Sequence, residues 1–481
     1  MKKTISILLS LLMLMSCFAV PSFAADESIL PLREKITDTD KGIIMQPGTD
    51  GTQKNFSWYA PAEAQEACVD VSLSPDMTDA VCFKGKTIDT YQGDKSAKVT
   101  VSGLETGTTY YYTCNAGDVS SDVYSFTTSS ADSFSAMYVT DIHVSEDEND
   151  PEELVRTSKR FEDVITQAKT KSDISYILSA GDQASSGLRS EYVGLTSSNA
   201  VKSLAFATTL GNHDRKGVDY KYFNNIPNER VGLVNDYQSG DYWFVQNNAL
   251  FIFINSNNGS GTDHRAVIKE AVEKNPDAKW RVAVMHHDLY SGAIDSRESE
   301  TRFMRILFSP IFDEFNIDLV LLGHNHYYSV SKVLYNGKIE QEFNNGDTIE
   351  NVKGTVYMVS NSLTRPKGEM PTYNDNVAFG LETKEDTERV LYNIINFTAD
   401  EINVTTYDFD ENDVFASFSI KKTDDYKAPK ISFFRKFAGF ITSFLGTVFA
   451  LFNNISVYNR LNEKGYDINF FENLRNTHLV K

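Results

Sequence analysis

Cysteine is scarce in this chain. Four cysteines occur in 481 residues, and all of them (Cys17, Cys68, Cys82 and Cys114) precede residue 115. Whatever chemistry the rest of the chain performs uses no thiolate as ligand or nucleophile. Positive charge is also in short supply: 46 Lys and Arg stand against 66 Asp and Glu, a net charge of −20. That balance excludes a nucleic-acid binder that works by neutralising phosphates. It does not exclude a phosphate substrate, because bound divalent cations reverse the potential locally. A Gly-x-Ser-x-Gly elbow is missing as well, so Ser256 and Ser360 lack the setting of a serine hydrolase, although both lie on strand-like runs. What is present is a 41% hydrophobic content, enough for a sizeable core, on a length that suits two or more domains.

Residues 1–24 read as a targeting segment. Lys2 and Lys3 open it, Ile5–Met15 is apolar, and Ser22-Phe23-Ala24 gives a small-x-small cleavage site. A secreted or cell-surface protein is expected. Leu14-Met15-Ser16-Cys17 resembles a bacterial lipoprotein box, but Met15 fits it poorly, so a lipid anchor on Cys17 is the secondary expectation. After cleavage, Cys68, Cys82 and Cys114 allow one intramolecular disulfide with three pairings.

Residues 25–40 form a polar lead-in, and residues 41–128 have the texture of an all-β sandwich. Short runs at Asn55–Tyr59, Ala67–Leu73, Ala97–Val101 and Thr109–Cys114 alternate with Gly and Pro. Val101–Thr113 is similar to the Leu-x-x-Gly-Thr-x-Tyr turn of fibronectin type III domains, which implies a Tyr bonded back to the upstream loop. No chemistry is expected in this domain, only packing and orientation. A hydrophilic linker at 129–133 precedes an α/β domain at 134–422, and residues 423–481 form a C-terminal extension. Within the extension, 431–455 places Phe437, Phe440, Phe444 and Phe452 at helical spacing, with Gly439, Ser443, Gly446 and Thr447 on the other face. Three readings stay open for this helix. It docks on the protein or a second subunit, it lies on a membrane surface, or it spans a membrane, for which its uncharged core is short.

Five segments of the α/β domain share one plan, an apolar run followed at once by Asp, Asn or His: Met137–His143, Ile174–Asp182, Leu204–Asp214, Arg281–His287 and Ile317–His326. Unalternated runs suit strands buried on both faces. Helical spacing in Pro151–Thr170 and His264–Lys274 lies between them, so a layered α/β core carries its site at the strand ends. Six of the eight histidines (His143, His213, His286, His287, His324 and His326) fall at these ends.

Asp141-x-His143, Gly181-Asp182, Gly211-Asn212-His213-Asp214, His286 and Gly323-His324-x-His326 together resemble the signature of calcineurin-like metallophosphoesterases. With the N-terminal sandwich, the layout is similar to that of purple acid phosphatases. The resemblance implies two metal ions (Fe, Mn or Zn), divalent or trivalent. Asp141, His143 and His326 hold one, Asn212, His286 and His324 the other, and Asp182 bridges them. It also implies in-line attack by a metal-bound hydroxide on a phosphate monoester. Phosphodiesters such as cyclic nucleotides or phospholipid headgroups are the alternative substrates, and a degenerate surface binding protein is the alternative of another class. His213 is the expected proton donor, oriented by Asp214. His287 is expected to face away from the ligands as a structural residue. Two departures belong together: Ser185 stands where the purple enzymes place a Tyr ligand, and His143 stands in Asp-x-His where they carry Asp-x-Gly. Without a phenolate ligand, the purple colour and the mixed-valence iron site are not expected. Tyr328 keeps a family position, but Val330 replaces the Arg that often follows.

Overall fold

In a strand, successive side chains point to opposite faces, and that alternation sorts the core of this protein into layers. A computed structural model describes residues 42–150, 152–230, 232, 234, 238–290, 298–366, 377–380 and 389–463. The expected targeting segment 1–24 with Cys17, the lead-in 25–40 and His478 lie outside the described residues.

Two seven-stranded sheets make the α/β domain. In the first, Phe134–Val139, Ile174–Ser179 and Ala205–Thr208 run parallel, and Leu391–Phe397 and Glu401–Asp408 extend the sheet antiparallel. In the second, Ala249–Ile254, Trp280–Met285, Leu319–Leu322 and Val356–Val359 run parallel. Alternate residues of both sheets share one core: Ala136, Tyr138, Tyr176 and Leu178 from the first, Phe251, Val282, Val284, Leu321 and Met358 from the second. The outward set of the first sheet (Met137, Val139, Ile177, Phe206) packs with Phe161, Val164, Ile165 and Ala168 of the helix Glu153–Lys171. The outward set of the second (Leu250, Ile252, Ala283, Val320) packs with the helices Gly261–Lys274 and Glu298–Phe315. Four layers result, helix, sheet, sheet and helix, and this confirms the expected α/β class. Of the later strands, Val356–Val359 lies in the second sheet, and Leu391–Phe397 and Glu401–Asp408 lie in the first.

Residues 44–127 form an antiparallel sheet of eight strands. Val81–Asp89, which the sequence reading passed over, pairs with Ala67–Ser72 along its first half and with Lys95–Ser102 along its second. Phe56 and Tyr112 meet beneath it, ring centroids 4.9 Å apart. The Tyr110 hydroxyl accepts from the Glu105 amide at 2.8 Å, the turn contact expected from the sequence. Cys68 and Cys82 form the disulfide, and Cys114 is buried.

This sheet grips the segments around the Gly211–Asp214 loop. Lys98 Nζ donates to the carbonyls of Lys221 (2.7 Å) and Asn224 (2.5 Å). Arg189, on the short helix Arg189–Leu195, binds Asp94 at 2.7 Å and Asp219 at 3.1 Å, and its guanidinium lies 4.0 Å from the Tyr59 ring centroid. Asp219 also accepts from the hydroxyls of Tyr59 (3.1 Å) and Tyr91 (2.7 Å). Removing one member of a buried ion cluster leaves the others charged and unpaired, which costs about 3–5 kcal/mol. Arg189→Met is therefore expected to lower stability to urea by about that amount. A loss under about 1 kcal/mol, the range of an exposed pair, would show that the two domains do not depend on this cluster.

Candidate metal centre

Each central strand ends in a loop that carries donor atoms, and the loops are laced to one another through their backbones. The Asp141 amide donates to the Gly181 carbonyl (2.9 Å), His143 to Asp182 (3.0 Å) and Gly323 to His286 (2.9 Å). To turn so sharply, Asp141, His143, Asp182, His324 and His326 all adopt positive φ, between 49° and 77°. Non-glycine residues rarely occupy that region, and each such residue costs about 1–3 kcal/mol. Two glycines are required by packing. A Cβ on Gly211 would lie 2.0 Å from Asp182 Oδ1, and one on Gly323 would lie 1.9 Å from Thr140 Oγ1 and 2.6 Å from Asp141 Oδ2.

All seven residues that the sequence assigned as ligands come together, in two groups. In the first, His326 Nε2 lies 3.1 Å from His143 Nε2 and 3.2 Å from Asp141 Oδ1. In the second, Asn212 Oδ1 lies 2.9 Å from both His286 Nε2 and His324 Nδ1, which are 3.2 Å from each other. Asp182 Oδ2 stands between the groups, 3.7 Å from His143 Nε2 and 3.3 Å from His286 Nε2. Donors bound at ~2.0–2.2 Å to one ion sit roughly 3–3.5 Å apart, so both groups have the spacing of a ligand set.

Hydrogen bonds outside the groups aim the rings inward. His286 Nδ1 faces the Ala180 carbonyl (2.9 Å) and His326 Nδ1 the Arg365 carbonyl (3.0 Å), so each can present a lone pair on Nε2. Asp141 Oδ2 accepts from Thr140 Oγ1 and the His324 amide, while its buried Oδ1 has no hydrogen-bond partner. Burial opposes charge on Asp182, but the imidazoles of His286 and His213 outweigh it and hold the carboxyl well below the usual range. Burial likewise depresses His286, but Asp182 beside it lifts the ring to about 9. A carboxylate pair that draws a proton onto a buried ring makes the electrostatic demand that a divalent cation meets. His143 is held well below its ordinary value by burial, neutral as a ligand must be. The donors therefore fit a pair of metal ions.

The remaining predicted residues divide. His213 adjoins the groups: its amide donates to Asp182 Oδ1 (2.7 Å), and its ring centroid lies 4.7 Å from that of His143. Asp214 does not orient it, contrary to expectation. The Asp214 carboxylate turns away and accepts from the amides of Gly211, Gln183 and Ala184 and from the Tyr192 hydroxyl at 2.9–3.3 Å, which ties the loops together. The Ser185 carbonyl, 2.7 Å from His213 Nδ1, positions the ring instead, and Lys216 Nζ lies 2.9 Å from the same atom. The Ser185 hydroxyl points at the His143 carbonyl, so this side chain stays outside the donor groups. His287 does not face away from the ligands as expected: its Nδ1 lies 2.8 Å from Ser256 Oγ, and its ring centroid lies 4.6 Å from that of His324, because the loop turns after Met285 and the strand alternation ends there. The sequence reading missed Glu300, whose carboxylate lies 3.4 Å from His287 Nε2 and 3.7 Å from His324 Nε2, behind the ligand ring. No motif marks it, because it comes from the middle of a polar helix start.

This donor set, on this fold, defines a metal-dependent phosphoester hydrolase. Residues 135–328 match the calcineurin-like phosphoesterase family, and residues 41–128 match the purple acid phosphatase N-terminal domain, so the chain carries these two domains in that order. A purple acid phosphatase from yellow lupin (Lupinus luteus) seeds is similar over 81% of this chain and 77% of its own, with a TM-score of 0.61 at 13% identity. PhoD is similar over 86% of this chain and 99% of its own, with a TM-score of 0.55 at 12% identity. At these identities the likeness shows the fold. No curated protein matches the chain in sequence.

Asp182→Ala is expected to lower bound metal by at least one ion per chain in elemental analysis, since Asp182 faces both groups. Full occupancy in that variant would remove the shared carboxylate. Gly211→Ala is expected to lower metal content too, because the new methyl must displace Asp182; unchanged content would refute that packing argument.

Proposed function

We propose that the chain is an exported dinuclear-metal phosphatase acting on phosphate monoesters. The observation that supports this reading is Asp182 Oδ2, which lies 3.7 Å from His143 Nε2 and 3.3 Å from His286 Nε2, one ring from each donor group. Asp141, His143 and His326 would hold one ion, and Asn212, His286 and His324 the other, with Fe, Mn or Zn suited to imidazole and carboxylate donors. When bound, the pair supplies neutralisation of the phosphoryl oxygens and an acidified water for in-line attack. His213 supplies the proton or hydrogen bond for the departing oxygen, held at Nδ1 by the Ser185 carbonyl. Asp214 contributes by fixing the Gly211 and Gln183 turns that carry His213 and Asp182. Export rests on the character of residues 1–24.

The test is a panel of p-nitrophenyl mono- and diesters, assayed beside elemental analysis before and after chelation. Monoester turnover that disappears with the metal and returns on its restoration is expected. Activity that survives complete metal removal overturns the reading, and a preference for diesters reassigns the substrate. His213→Ala is expected to lower turnover ~10²–10⁴-fold with metal content intact; loss of metal in this variant would make His213 a ligand instead.

A further inference from the structure

The helix Phe433–Glu463 is docked by the face that a soluble helix usually turns outward. From Phe433 to Phe452 its buried positions are Gly439, Ser443, Gly446, Thr447 and Ala450, one stripe at helical spacing. That contact leaves no freedom of rotation. Thr447 Oγ1 lies 2.7 Å from Thr262 Oγ1 and accepts from the Thr262 amide (3.2 Å) and Ser260 Oγ (3.1 Å). A Cβ on Gly446 would come within 2.7 Å of the Gly259 carbonyl oxygen, and one on Gly261 within 2.6 Å of Ser443 Cα. Phenylalanines could not replace these small residues at that distance. The opposite face is left to solvent, where Phe433, Phe434, Phe437, Phe440, Phe444 and Phe452 are each at least 51% exposed. An apolar stripe of this extent on a monomer marks an interaction surface.

Charge beside the stripe identifies what covers it. The chain is strongly acidic, yet no Asp or Glu occurs from Lys427 to Asn462, while Lys427, Lys430, Arg435, Lys436 and Arg460 do. Lys427, Lys430 and Lys436 are exposed and cluster at the end that carries Phe433 and Phe434. Aromatic residues on one face with lysines at its edge match the boundary between acyl chains and anionic headgroups. The helix is not free to span while docked in this way, since Thr447 stays bonded to Ser260 and Thr262.

We propose that the Phe433–Phe452 face is a docking surface for an anionic lipid bilayer, which lays the phosphoesterase domain on a membrane with this helix along the surface and not across it. The phenylalanines enter the headgroup and upper acyl region to a depth of about 5–10 Å, and Lys427, Lys430 and Lys436 contact the lipid anions. This proposal does not depend on which ester the site hydrolyses.

The experiment is co-sedimentation of the chain from Ala25 onward with vesicles of phosphatidylcholine alone and of phosphatidylcholine mixed with phosphatidylglycerol. Sedimentation velocity of the free protein accompanies it. Stronger binding to the anionic vesicles is expected. The triple change Phe437→Ser, Phe444→Ser and Phe452→Ser is expected to weaken binding to both vesicles by about tenfold or more. Lys427→Glu with Lys430→Glu and Lys436→Glu should remove the preference for anionic lipid. Monoester turnover and circular dichroism of both variants should match the parent, because none of these side chains touches the metal centre. In a separate Phe444→Trp variant, a blue shift of the added emission on vesicles reads insertion directly. The proposal is overturned if the parent stays in the supernatant with both vesicles, or if the Phe changes leave binding unaltered. It is equally overturned if the parent sediments as a dimer that the Phe changes dissociate, which assigns the face to a second copy.

Discussion

One carboxylate oxygen, Asp182 Oδ2, faces imidazole nitrogens of two separate donor groups. Two buried carboxylates, an amide and four rings are forced into one small volume by the backbone. Such an arrangement is unfavourable by itself, because donor lone pairs confront one another away from water. Five of the seven donors stand on left-handed backbone. The loops hold that conformation because each is bonded to its neighbour: Asp141 to Gly181, His143 to Asp182, Gly323 to His286. The scaffold therefore holds the donors in place, and cations bound among them would relieve the repulsion so created.

The rest of the molecule can be understood as support for that constraint. Face-to-face sheets bury alternate residues of both in one core, so the strand ends cannot slide without disrupting it. The Tyr138 hydroxyl reaches from the first sheet to the Leu322 backbone in the second, just before His324 and two residues from the start of its own donor loop. The N-terminal sheet stabilises the outer side of the same region through Arg189, Asp219 and Lys98.

Most of the centre was legible in the sequence because its signal is local. A buried strand has to be apolar, so an Asp, Asn or His directly after it is conspicuous, and five such endings identify one end of a sheet. Residues that act from behind are a different matter. Glu300 lies in the polar first turn of the helix Glu298–Phe315, far along the chain, and the carbonyls of Ala180, Ser185 and Arg365 position rings through the backbone, which any residue type supplies. Asp214 was misread for a related reason. Adjacency to His213 suggested a partnership, but the turn directs the carboxylate into three backbone amides, the stronger attraction for a buried acid. Val81–Asp89 was missed because it is largely exposed, with little apolar alternation to reveal it. The C-terminal helix runs past the expected end at 455 to Glu463, because polar residues there no longer carry the apolar stripe; nor does a helical period alone say which face docks, which Gly446 and Thr447 decide by the closeness of their contacts.

The two donor groups are also unequal in charge, and this bears on how they divide their work. The first has the Asp141 carboxylate of its own, with His143 in the place that a phenolate would otherwise fill. The second has the neutral Asn212 oxygen and two imidazoles, and shares only Asp182. A cation held by the second group would keep more of its positive charge, and so attract an anionic ester more strongly, than one held by the first. The first, facing more negative charge, suits the ion of higher charge. His213 stands beside His143 and Asp182, on the side of the more neutralised group, where a proton donor is least opposed by uncompensated positive charge. The asymmetry follows from three side chains, Asp141, His143 and Asn212, and it distinguishes the roles of the two positions before any substrate is considered.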